Sequence, residues 1–146
     1  LILYIHDIEN EEEALYFSYV IQLIEQALQK LDSGYTVGSL RIFVTFDNCR
    51  AIYRANEIVD ALHPYFAGAT INIESFWASV GQVYHTDLNY KIQSGLEPLL
   101  YIEPAQLVEC VVENRGGVFI NNDSYQEVAD VIASSANDTI IVKPDD

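Results

Sequence analysis

Positive charge is the scarcest commodity in this chain. Seven Lys and Arg face 22 Asp and Glu, for a formal net charge of −15. Phosphate contacts from Lys and Arg normally supply much of the affinity for nucleic acid, so the balance weighs against a generic nucleic-acid binder. Any polyanionic substrate must meet a small local basic patch, or the partner is not a polyanion. Methionine is absent altogether, the initiator included. That leaves open a trimmed piece of a longer chain or modified methionines left unwritten. Only two cysteines occur, Cys49 and Cys110, far apart and without metal-type spacing. They read as free thiols in a reducing, cytoplasmic compartment. No run approaches the roughly 18–20 apolar residues of a membrane span, and no basic-then-apolar leader opens the sequence. Charged residues make up only 20% of the chain, which argues against a disordered acidic tail.

Half of the 146 residues are apolar, enough for one globular domain over 1–146 with a proper core. Strand and helix signals alternate throughout. Residues 1–6 read as a first strand. Residues 10–32 read as an amphipathic helix with Phe17, Val20, Ile21, Ile24, Leu28 and Leu31 on one stripe. Asn10 suits the N-cap and Glu11 to Glu13 suit the positive helix start. A second strand over 40–46 leads into a helix over about 49–62 that stops before His63-Pro64. A third strand falls at 69–73. The segment 76–102 reads as an insertion or lid. Pro104 is expected at a helix start, followed by a strand at 117–121, a helix at about 123–135 and a fifth strand at 139–142. Short apolar strands interleaved with helices predict a three-layer α/β/α domain around a mostly parallel five-stranded sheet.

Right-handed crossovers and the order 3-2-1-4-5 would set the first and fourth strands side by side. Asp7 and Asp123, each just past a strand's carboxyl end, would then face one another. Two carboxylates that close repel unless they share a cation, and Mg²⁺ or Mn²⁺ suits oxygen ligands. The bland reading of each acid is a helix cap or a solvated face. That reading applies equally to Asn10, and more strongly to Asp87 and Glu103. His6 and His85 read as hydrogen-bonded edge residues rather than ligands.

Certain of these motifs match a known family. The strand ending in Asp7-Ile8-Glu9-Asn10 and the run Asn121-Asn122-Asp123-Ser124-Tyr125-Gln126-Glu127 resemble the NYN branch of the PIN-like ribonucleases, and within it the Regnase-type endoribonucleases. Pro144-Asp145-Asp146 and Phe43-Val44-Thr45-Phe46 followed by Arg50 add to the likeness. It spans most of the chain, with residues 88–104 least covered. The resemblance implies metal-dependent cleavage of single-stranded or loop RNA. Asp7, Asp123 and one of Asp87 or Glu103 would hold Mg²⁺ or Mn²⁺, and Glu127 would serve as an additional acid. Asn10 and Asn122 would orient carboxylates or a phosphate, with Arg50, Arg54 and Lys91 as phosphate contacts. The chain departs from the family in lacking its paired Asp before the fourth strand, Thr86-Asp87 being only a local likeness, and in carrying Gln126-Glu127 where an Arg-Asp is expected. A catalytically inactive relative acting as a protein-interaction module, or as a homodimer, is the alternative. A receiver-like signalling domain, suggested by Lys143-Pro144 after the last strand, is a third.

Overall fold

The computed structural model describes residues 1–87 and 97–120, with side chains of the second segment described from Ile102 onward. Among these residues it is an α/β fold built on a parallel sheet of four strands. In chain order the elements are β1 (Ile2–Ile5), α1 (Glu11–Leu31), β2 (Arg41–Phe46), α2 (Cys49–Tyr53), α3 (Ala55–Leu62), β3 (Phe66–Ile71), α4 (Ile73–Tyr84), α5 (Glu97–Glu113) and β4 (Val118–Ile120). No described helix is long and apolar enough to cross a membrane.

Local chemistry sets the helix starts. Asn10 Oδ1 accepts the Glu13 N–H at 3.0 Å, satisfying one orphan donor of α1, and Glu13 Oε2 accepts the N–H of Glu9, just before the cap, at 2.8 Å. Asn48 and Asn72 cap α2 and α4 in the same way, through the N–H groups of Ala51 and Ser75.

The strand order is β1-β2-β3-β4, which corrects the expected 3-2-1-4-5. β4 pairs with β3, through Gly68↔Val118 to Thr70↔Ile120, and lies at the opposite edge of the described sheet from β1. Three strand spacings, about 14 Å, separate them. Every crossover steps to the next position in the same direction, and right-handed crossovers of that kind put their helices on one face. Accordingly α1 packs on α3, and α3 on α5. The strand residues turned toward them, Ile5, Ile42, Val44, Phe46, Ala69 and Ile71, form the core with Ile58, Val59, Leu62, Val108 and Val112. Gly68 is required at the β3–β4 seam, because a Cβ there would stand 2.2 Å from the Val118 carbonyl oxygen.

Three further expectations are corrected. The helix expected over 49–62 is two, broken at Arg54, whose φ of −109° and ψ of 19° leave the helical region. Pro104 lies inside α5, not at its start; the helix begins at Glu97. The buried face of α1 is Ala14, Ile21 and Glu25, with Phe17 half-buried, while Ile24, Leu28 and Leu31 of the expected stripe are exposed.

Glu25 explains that rotation. It is fully buried, and its carboxylate accepts from Tyr35 Oη at 2.9 Å, Gly38 N at 2.7 Å and Leu40 N at 3.2 Å. Helix α1 turns this acid inward to bind the loop that leads into β2. Burial pushes its pKa up, but the N–H groups of Gly38 and Leu40 and the hydroxyls of Tyr35 and Tyr65 outweigh burial and hold it below the ordinary carboxylate value.

The span 76–102, expected as an insertion, opens with helix α4, where Phe76 is buried and Ile73, Trp77 and Val80 pack on the core. The helix expected at 123–135 and the strand at 139–142 lie outside the described residues.

Candidate functional site

At the carboxyl ends of β1 and β2 the chain assembles an acidic cluster. Ile5 and Val44 are register partners in adjacent parallel strands, so the residues that follow each strand emerge side by side. After β1 come His6 and Asp7; after β2 comes Asp47. The Asp7 N–H donates to Asp47 Oδ2 at 2.8 Å, and Asp7 takes a φ of +59°, a left-handed conformation uncommon outside Gly, Asn and Asp. Asn48 completes the scaffold. Its Nδ2 donates to the Ile8 carbonyl at 2.9 Å and to Asp47 Oδ1 at 3.1 Å, while its Oδ1 caps α2.

Asp47 is therefore buried, with one N–H on each carboxylate oxygen and a further lone pair left on each. Asp7 and His6 are exposed, and His6 Nδ1 lies 2.9 Å from Asp7 Oδ2. With the proton on Nε2, Nδ1 and Asp7 Oδ2 present lone pairs at the spacing of neighbouring ligands on one ion. Ligand atoms of His6, Asp7 and Asp47 all lie within 4.8 Å of one another. Metal–oxygen and metal–nitrogen bonds of about 2.0–2.4 Å make opposed ligands of one ion about 4.0–4.8 Å apart, so this donor set could hold a metal ion. An open groove of about 620 Å³ lies alongside, lined by His6, Asp7, Asn10, Glu12, Glu13, Tyr16 and Phe17.

Asp7 thus lies where the sequence led, but its described partner is Asp47. No expectation rested on Asp47, although the signal was present: it follows an apolar strand directly, much as Asp7 follows β1. Asn10 is the cap of α1 and also lines the groove. Among the described residues neither Asp87 nor Glu103 belongs to the cluster. Asp87 closes the turn after α4, its N–H donating to the Tyr84 carbonyl at 2.9 Å. Glu103 lines a separate hollow of about 130 Å³ with Ile52, Tyr53, Phe76, Pro104 and Leu107. Asn122, Asp123, Glu127 and Lys91 lie outside the described residues.

The two arginines expected to contact phosphate are held by carboxylates. Arg50 Nη1 donates to Glu9 Oε2 at 2.8 Å, and Arg54 Nη1 donates to both oxygens of Glu11 at 2.6 and 2.5 Å. The Arg54 hydrogen bond, first among several causes, lowers the Glu11 pKa and reciprocally raises that of Arg54. Arg115 is likewise forked on Asp60, and Arg41 donates to the carbonyls of Gly38 and Leu40. Cys49 and Cys110 are both free.

Comparison of the chain with protein-family models and with curated proteins gives no match.

Proposed function

We propose that this protein is a metal-dependent endoribonuclease of the NYN/PIN-like type, a three-layer domain with a fifth strand, cleaving single-stranded or loop RNA. One observation carries the reading: a buried carboxylate, an exposed carboxylate and an imidazole converge at the carboxyl edge of a parallel sheet, where α/β proteins gather their chemistry. Asp7 and Asp47 would hold Mg²⁺ or Mn²⁺, with His6 as the nitrogen donor. Bound there, the cation would supply an activated water and neutralise charge on the phosphodiester. The chain's own contributions are geometric. Asn48 and the Asp7 N–H hold the Asp47 carboxylate in place, and the acidic walls of the groove leave the cation as the group that admits a phosphate. Relative to the family pattern, the second acid comes from β2. Asp123 as a further ligand and Glu127 as an additional acid are what the resemblance implies.

The deciding experiment is cleavage of a single-stranded RNA with Mn²⁺, compared between the native chain and the Asp7→Asn and Asp47→Asn variants. Activity that falls at least about a hundredfold in both variants supports the reading. Intact RNA with folded native protein and Mn²⁺ present removes it.

A second reading has its own observation. With Arg50 and Arg54 tied to Glu9 and Glu11, and a net charge of −15, no Lys or Arg among the described residues lines the groove. A catalytically inactive interaction module follows from that, and calorimetry showing no Mn²⁺ binding would select it.

A further inference from the structure

Helix α1 is anchored on one side and apolar on the other. Its inward side is Ala14, Ser18, Ile21 and Glu25; three of these are buried, and Ser18 Oγ donates to the Ala61 carbonyl of α3 at 2.7 Å. Two residues on from each, about 200° round the helix, stand Tyr16, Val20, Leu23 and Ala27. Tyr16 is 65% exposed and Leu23 46%, and Tyr19 (59%) and Ile24 (46%) flank them. A helix apolar on both sides ordinarily lies between two layers, yet among the described residues α1 is buried on its inward side alone. The outward spacing of four, three and four residues is that of a coiled-coil seam. One step further along the seam, at its two ends, come Glu13 and Lys30. Arg50, Arg54 and Arg115 are each held by a carboxylate and Arg41 by carbonyls, whereas the Lys30 ammonium has no partner among the described residues. In a chain with 22 acids, an unpaired cation at one end of an apolar seam and an acid at the other are complementary to a second copy turned end for end.

We propose that α1 is the interface of a two-fold, antiparallel dimer of this chain, in which Lys30 of each copy closes on Glu13 of the other at the wall of the groove beside Asp7. Antiparallel seams pair each residue of one spacing class with one of the other, and a two-fold axis makes every contact twice. The layers run Glu13 against the partner's Lys30, Tyr16 against the partner's Ala27, and Val20 against the partner's Leu23, then repeat in reverse. Large side chains thus meet small ones in the inner layers, and opposite charges close both ends. A parallel pair would instead set Glu13 on Glu13 and Lys30 on Lys30. The antiparallel arrangement also opposes the two helix dipoles, bringing the acidic first turn, Glu11 to Glu13, beside the end of the partner helix that carries Lys30. Glu13 and Tyr16 line the groove, so the partner's Lys30 would give that acidic wall a cation that the described residues of one copy do not. Use of that ammonium to hold a phosphate rests on the nuclease reading; the pairing itself does not.

The test is sedimentation of the full chain without metal or RNA, at about 0.15 M salt so that long-range repulsion between acidic copies is screened. The native chain should sediment at twice its mass of 16.5 kDa, and Leu23→Glu, a change at an exposed position, should leave a folded monomer. Lys30→Glu and Glu13→Lys should each weaken the dimer at least tenfold, and an equal mixture of the two should restore it, because both end pairs are then opposite in charge. A native chain that stays monomeric, as it would if its own residues beyond 120 covered α1, overturns the proposal. So does a dimer that survives Leu23→Glu, which would place the interface elsewhere, or a mixture of folded charge variants that fails to recover, which would exclude the antiparallel pairing. None of these results bears on Mn²⁺-dependent cleavage, which is measured separately.

Discussion

The Asp7 amide and the Asp47 carboxylate are joined by a 2.8 Å hydrogen bond across 40 residues of sequence. This bond ties the turn after β1 to the end of β2, and it ties the exposed half of the candidate metal centre to its buried half. The left-handed backbone of Asp7 sits at one end of the same bond.

That backbone separates stability from function at a single position. Glycine adopts a φ near +59° without steric cost, so Asp7→Gly should leave stability within about 1 kcal/mol of native, or raise it. The same variant should lose most Mn²⁺ affinity. Asp7→Ala, which keeps a Cβ and gains no freedom, should be the less stable of the two. Thermal melts and calorimetry on both variants check this; equal loss of stability would remove the special role assigned to the conformation.

Removal of the buried acid should behave differently. Asp47→Ala strips acceptors from the Asp7 N–H and from Asn48 Nδ2, and should cost about 1–3 kcal/mol along with cation binding. Asp47→Asn retains one oxygen and should restore stability more than affinity. Urea titrations read the first quantity and Mn²⁺ calorimetry the second.

Glu25 sets the acid limit of the fold. Its pKa is depressed in the folded state because four donors outweigh burial, so its contribution is fully present above the unfolded carboxylate pKa. That contribution is lost as pH falls through the lower, folded value. Stability should therefore decline below about pH 4, and Glu25→Gln should flatten the decline while costing about 1–3 kcal/mol at neutral pH. Denaturant midpoints measured between pH 3 and 7 test both statements.

The paired arginines make a prediction about RNA. If catalysis runs through the cation, Arg50→Ala and Arg54→Ala should reduce Mn²⁺-dependent cleavage by less than about tenfold, against at least about a hundredfold for Asp7→Asn. Metal-free RNA binding should be weak even at low salt, because few phosphate contacts means a shallow salt dependence. Tight metal-free binding that weakens steeply with salt would show these arginines leaving Glu9 and Glu11 for phosphate.

At the β3–β4 seam, Gly68→Ala places a methyl group 2.2 Å from the Val118 carbonyl oxygen and 2.8 Å from the Phe43 ring. Backbone cannot yield as a flexible side chain does, so the strands must part, at a cost of about 1–3 kcal/mol or more. Faster amide exchange confined to β4 would locate the damage.

The sequence by itself determined several of the elements and some of their ends. Alternating apolar runs marked β1, β2 and β4, and Asn10 with its acidic first turn marked the start of α1, because periodicity and capping are local properties carried within a few residues. It also placed Asp7 at a strand's carboxyl end. Only the tertiary structure decided which strands are neighbours, and hence that the described acid beside Asp7 is Asp47. The inward turn of Glu25 was hidden for the same reason: a glutamate in an amphipathic helix looks solvated until a distant loop brings Tyr35, Gly38 and Leu40 to its carboxylate. Strand order and buried polar contacts depend on groups far apart in the chain, whose encounter no local pattern records.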